Sequence, residues 1–130
     1  GLTGVATPHA KEAERWLGES SPADALEGCS GESATIVITG PEDVLTGPEE
    51  RSCRASGGHS RMAVGGTGDL LAGTIGGLLA QGMEAWPAAR LGCALLREAG
   101  ARAAQNTGPG LLAEDVPVEI ARVLAEWIKD

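Results

Sequence analysis

Apolar positions along the chain follow two spacings. Val5-Ala6-Thr7 and Ala34-Thr35-Ile36-Val37-Ile38 are short continuous runs, the second rich in β-branched residues without alternation. Such a run predicts a strand covered on both faces. Pro8 is expected to stop the first strand. Helices are predicted over His9–Gly18, closed by glycine, and from Ser21-Pro22 to about Cys29. Leu71, Ile75, Leu78 and Leu79 recur at helical spacing, with Gly82 as the stop. Gly73, Gly76 and Gly77 in that helix are expected to permit close contact with a neighbouring element. A helix opening at Trp86-Pro87 and running to about Gln105 is expected to bury Leu91, Ala94, Leu95 and Ala101 and to leave Arg90, Arg97, Glu98 and Arg102 in solvent. After the turn cluster Asn106–Gly110, Ile120, Leu124, Trp127 and Ile128 form a last amphipathic stripe, with Trp127 in the core. T-G-P-E occurs at Thr39–Glu42 and again at Thr46–Glu49, and Gly-Pro pairs mark turns. This predicts a hairpin with Arg51–Ala55 as its second strand. Strands alternating with helices define an α/β fold.

Composition narrows the function classes. The 130 residues suffice for one core, and at 42% hydrophobic the chain is expected to fold. With no Phe, no Tyr and three Trp, stacking platforms for single-stranded nucleic acid are nearly absent. A net charge of −8 disfavours nucleic acid and anionic membrane as partners, but a local ring of amide donors can still hold a nucleotide. Cys29, Cys53 and Cys93 are odd in number and lack C-x-x-C spacing, so free thiols in a reducing cytoplasm are expected and a cysteine metal site is not. The sequence carries no signal-peptide pattern. Leu70–Ala80, the longest apolar run, is too short to span a bilayer.

The chemistry concentrates in Met62–Gln81, M-A-V-G-G-T-G-D-L-L-A-G-T-I-G-G-L-L-A-Q. Gly65, Gly66 and Gly68 suit a turn that brings backbone close to a ligand. Helix N-terminal N–H groups lack internal partners and carry the positive end of the dipole, so Gly66, Thr67 and Gly68 predict an anion site. Asp69 beside a phosphate is repelled by it unless it serves as a base toward a hydroxyl. Alternatively, Asp69 is a plain N-terminal carboxylate and the glycines a plain turn.

M-A-V-G-G-T-G-D-L-L-A-G resembles the anion-hole motif of the ribokinase-like superfamily, and in detail that of the ADP/ATP-dependent NAD(P)H-hydrate dehydratases. The resemblance implies that Gly68 contacts the nucleotide, and that Asp69 contacts the hydrated nicotinamide substrate and acts in catalysis. T-P-H-A-K-E at Thr7–Glu12 is similar to the family's T-P-H-x-x-E, which implies a substrate contact for His9. Glu12 aligns with an acidic residue used near magnesium and phosphate in related kinases; as a first-turn carboxylate it also suits the helix dipole alone. The family's L-K-G-x-x-T segment, which lies against the AMP moiety, corresponds here to Thr39, Gly40, Pro41, Glu42 and Asp43. Thr39 replaces the lysine, and Glu42 and Asp43 add negative charge, which predicts weaker nucleotide binding. Arg61, in the loop before the motif, is either the compensating cation or a solvated arginine. G-L-L-A-E-D-V-P resembles a family segment that precedes the last helix, where Asp115 caps the helix or orients its loop.

The resemblance covers nearly the whole chain but only about half of the family's domain. It implies a single partial domain over residues 1–130: the C-terminal, nucleotide-binding half of a ribokinase-like three-layer αβα sandwich, with a mostly parallel sheet and a β-hairpin. A sheet divided this way exposes an unpaired edge, so self-association or a need for the N-terminal half is expected. The implied reaction restores NAD(P)H from its hydrate, with ADP or ATP and Mg2+ as cofactors and no metal-ligand set of the protein's own. A small-molecule kinase of the same superfamily, of the hydroxyethylthiazole or hydroxymethylpyrimidine type, and a non-catalytic nucleotide-binding module are the alternatives.

Overall fold

The strands run in chain order across one four-stranded sheet: β1 (Val5–Ala6), β2 (Thr35–Ile38), β3 (Asp43–Gly47) and β4 (Arg51–Ala55). The structure is a computed structural model and describes residues 4–9, 35–49, 51–57 and 67–128. The two early helices expected from the sequence lie outside these residues, apart from His9. β1 pairs parallel with β2, in the register Val5↔Thr35 and Ala6↔Ile36. β2–β3 and β3–β4 pair antiparallel. The described sheet is therefore mixed rather than mostly parallel. The reason is local: the two T-G-P-E copies make two tight turns, and links this short can only return a strand antiparallel to the last. The predicted hairpin is present as β3–β4, extended by β2 into a three-strand meander.

Every residue of β2 and β3 is buried. Register places Val37, Leu45 and Cys53 side by side, and these pack against the helices. Ile36, Ile38 and Val44 are buried on the opposite face. Two-sided burial is what the unbroken β-branched run predicts.

Three helices follow: α1 (Thr67–Ala80), α2 (Ala85–Thr107) and α3 (Val116–Trp127), with 3-10 turns at Gly108–Gly110 and Ala113–Asp115. In α1, Leu71, Ile75 and Leu78 are buried as expected, Leu79 is half-buried, and Gly82 leaves the helix with φ +96°. Gly73, Gly76 and Gly77 are exposed with open space beside them, so they mediate no close contact among the described residues.

The close approach is on α2 instead, where Gly92 packs on Ile75 of α1. The buried face of α2 is built largely from small residues, Ala88, Ala89, Gly92, Cys93, Ala99, Gly100, Ala103 and Ala104, with Leu95 and Leu96. Of the face expected from the leucine spacing only Leu95 is fully buried; Leu91 and Ala101 are half-buried and Ala94 is exposed. A central helix pressed between a sheet and two helices selects small side chains, which a stripe of large apolar residues does not reveal.

The phase of α3 also differs from expectation. Val116, Glu119 and Val123 are buried, with Ile120 and Leu124 flanking them, whereas Trp127 is 44% and Ile128 67% exposed. Trp127 is thus not core. The Glu119 carboxylate is tolerated in the buried line because Arg122 Nη1 donates to it at 2.6 Å and Asn106 Nδ2 at 3.3 Å. Asp115 orients its loop, accepting from the Leu112 N–H at 2.7 Å. Among the described residues no helix is long and apolar enough to cross a membrane.

Candidate functional site

α1 begins at Thr67, so Gly68 and Asp69 occupy its first turn, as the motif predicts. Gly65 and Gly66 lie outside the described residues. Gly68 and Asp69 are both exposed. A Cβ built on Gly68 meets nothing within 4 Å among the described residues, so no described side chain fills the space beside it. The first-turn amides there lack intrahelical acceptors and favour an anion. The Asp69 carboxylate sits at the positive end of the helix and within reach of a ligand in solution.

The candidate substrate residue and the candidate nucleotide segment meet at the ends of β1 and β2. His9 and Thr39 form a parallel bridge, and the Thr39 N–H donates to the Pro8 carbonyl at 3.0 Å. Both residues follow the carboxyl ends of parallel strands, where open α/β sheets bind their ligands. His9 is exposed and Thr39 half-buried.

Beyond Thr39 the turn carries Gly40, Pro41 and Glu42 on the surface. Asp43 differs. It is 5% exposed, and its Oδ2 accepts from Arg97 Nε at 2.9 Å. The Glu42 carboxylate accepts from Arg54 Nη1 at 3.0 Å. The negative charge expected to burden this segment is therefore matched by an arginine at each position. Arg97 itself is not in solvent: its side chain is 14% exposed. Its Nη1 donates to the carbonyls of Pro41 and Gly57, each at 2.9 Å, and its Nη2 to that of Gly40 at 3.0 Å. Sequence spacing assigned Arg97 to a solvated face because no local pattern reports acceptors 40 to 57 positions away along the chain. The one available signal is its helical neighbourhood, since Cys93, four residues earlier, and Gly100, three later, are buried.

The other arginines of that predicted face do as expected or pair with acids. Arg90 is exposed, and Arg102 bonds Glu98 at 2.9 Å and Glu126 at 2.9 and 3.1 Å. The hydrogen bonds to Arg102 hold the Glu126 carboxyl below its usual range and raise the guanidinium in turn. Under the nucleotide segment, burial first and the neighbouring Asp43 carboxylate second push the Cys93 thiol up to about 12, so it stays protonated beside Asp43. Glu12 and Arg61 lie outside the described residues.

The fold is that of a ribokinase-like α/β protein. A sequence model of the family described as NAD(P)H-hydrate dehydratase matches residues 3–122. The bifunctional NAD(P)H-hydrate repair enzyme Nnr of Methanopyrus kandleri is 36% identical over 127 residues, which is 92% of this chain and 26% of that protein. The ADP-dependent (S)-NAD(P)H-hydrate dehydratase of Xanthomonas campestris pv. campestris is 33% identical over 128 residues, 92% of this chain and 44% of the relative. Among solved structures, the ADP/ATP-dependent NAD(P)H-hydrate dehydratase of Bacillus subtilis, co-crystallized with ATP/Mg2+ and soaked with CoA, superposes with a TM-score of 0.77. It is 26% identical, and the match covers 95% of this chain and 48% of that one. The chain belongs to the NAD(P)H-hydrate dehydratase family. It spans between about a quarter and a half of the length of these relatives.

Proposed function

We propose that the protein carrying this chain restores NADH and NADPH from their hydrates, and that Asp69 is its catalytic base. The observation that carries this reading is the exposed Gly68–Asp69 pair in the first turn of α1, with open space beside the glycine. Asp69 accepts the proton of the hydrate hydroxyl, and the freed oxygen bonds to the terminal phosphorus of ADP or ATP as the bridging P–O bond breaks and AMP or ADP, respectively, leaves. The Gly66–Gly68 amides, with Thr67, stabilise the charge on the transferring group, which is where such catalysis mostly lies. Loss of phosphate from the ring carbon, with loss of the neighbouring proton, then restores the double bond. Magnesium brought with the nucleotide would supply neutralising charge, and no residue of this chain is assigned to hold it. His9 contacts the hydrate. Thr39, Gly40, Pro41, Glu42 and Asp43 lie along the AMP moiety, Asp43 through its backbone because its carboxylate is turned to Arg97.

Asp69→Asn in the full-length protein tests this. Turnover of hydrated NADH, followed by recovery of NADH absorbance, is expected to fall by about a hundredfold or more. Nucleotide affinity is expected to stay within about twofold, since the amides remain. Unchanged turnover overturns the assignment.

The same reading makes residues 1–130 the nucleotide-binding half of a cytoplasmic enzyme's domain. β1 ends the described sheet on one side, and an unpaired strand edge recruits a partner strand. The isolated chain is therefore proposed to self-associate or to require the rest of its fold. Sedimentation as a stable monomer at micromolar concentration counts against that.

A further inference from the structure

We infer that Arg97 is the positioning residue of the nucleotide turn, an inference that rests on the reading of Thr39–Asp43 as the nucleotide segment. A surface or core ion pair needs one acceptor. Arg97 has four, and they come from three places: the turn carbonyls of Gly40 and Pro41, the Asp43 carboxylate that starts β3, and the Gly57 carbonyl of the segment after β4. A guanidinium offers five N–H donors in a planar fork, so a single side chain can set the geometry of all these groups at once. Lysine, a point charge with three rotatable donors, cannot copy the arrangement.

The consequence for binding follows from peptide planarity. In a trans peptide the carbonyl and the next N–H point in opposite directions, and no cis peptide occurs among the described residues. Drawing the Pro41 carbonyl onto Arg97 therefore turns the Glu42 N–H away from α2, toward the exposed side of the turn. Gly40, Pro41 and Glu42 are all exposed, so the turn has little packing of its own to hold that orientation. Gly57 adds the second half of the device. It ties the turn to the segment that follows β4, so Arg97 also fixes the turn against the end of the last described strand.

The test is steady-state kinetics and ADP and ATP binding by calorimetry on the full-length protein. Wild type is measured first. In Arg97→Ala the KM and Kd for nucleotide are expected to rise about tenfold or more, with Arg97→Lys in between. The KM for hydrated NADH, and kcat at saturating nucleotide, are expected to stay within about twofold. Because Arg97→Ala leaves Asp43 buried alone, Asp43→Asn/Arg97→Ala is read in parallel by the same criteria. Nucleotide KM within about twofold of wild type in either folded variant overturns the inference, as does an equal rise in the hydrate KM. Failure of both variants to fold also overturns it, because a role confined to the turn leaves the core standing. A wild-type protein that binds neither nucleotide brings down the functional reading and this inference together, whereas normal wild-type binding with an unaffected Arg97→Ala brings down the inference alone.

Discussion

Gly92 of α2 lies so close to Ile75 of α1 that a Cβ on the glycine would stand 2.5 Å from Ile75 Cγ1. The helix that carries Gly68 and Asp69 is thus seated through a contact only glycine allows. Gly92→Ala gains up to about 1 kcal/mol of helix propensity. Overpacking a buried contact costs about 1–3 kcal/mol and prevails. Net destabilisation is expected in urea unfolding of the full-length protein. In an Ile75→Ala background, where the obstructing carbon is gone, the same substitution is expected to stabilise. Equal effects in the two backgrounds would show that the two residues do not touch.

Thr35 on β2 is fully buried, and its hydroxyl has no hydrogen-bond partner among the described residues. It packs near Gly47, where the ring of Trp86 also closes in. An unpaired buried hydroxyl is a cost that valine, of nearly the same shape, does not carry. Thr35→Val is expected to raise the unfolding free energy by about 1 kcal/mol. A loss of stability would reveal an acceptor for that hydroxyl.

Thr39 stands where the family pattern has lysine. Its N–H is committed to Pro8, and its side chain is half-buried. Thr39→Lys is expected to tighten ADP or ATP binding by about tenfold at low salt, through a charge-assisted phosphate contact. The gain should shrink as ionic strength rises. Calorimetry at two salt concentrations decides it; unchanged affinity at low salt would place the side chain away from the phosphates.

Cys93 makes stability depend on alkaline pH. Its thiol is raised from the ordinary 9.0 to about 12, first by burial, then by Asp43, with Cys53 adding to the rise and Arg97 opposing it. Below pH 9.0 both folded and unfolded chains keep the proton, and the contribution is fully present. Between 9.0 and about 12 only the unfolded chain releases it, so stability falls as pH rises. Urea midpoints at pH 8, 10 and 11 are expected to decline more steeply in wild type than in Cys93→Ala. Parallel declines would remove Cys93 as the cause.

Local chemistry was readable wherever the responsible residues are neighbours in the chain. The β-branched run over Thr35–Ile38 is a strand covered on both faces, and G-T-G-D opens a helix with its aspartate accessible. Helix phase was harder to read. Spacing of large apolar residues placed Trp127 inside, yet Val116 and Val123 carry the burial of α3 and the tryptophan stays in contact with solvent. On α2 the same logic chose Ala94, which is exposed, over Cys93, which is buried.

By itself, then, the amino-acid order determined the element types of the described residues and the turn at each T-G-P-E, because each depends on residues within a few positions of one another. Only the tertiary structure decided that Arg97 belongs to the turn over Gly40–Asp43 and that Asp43 faces inward. It also decided that Gly92, rather than Gly73, Gly76 or Gly77, admits the neighbouring helix. Those outcomes depend on which acceptors and which carbon atoms the folded chain brings within about 3 Å of one another, and hydrogen bonds and steric contacts of that range carry no trace in sequence separation.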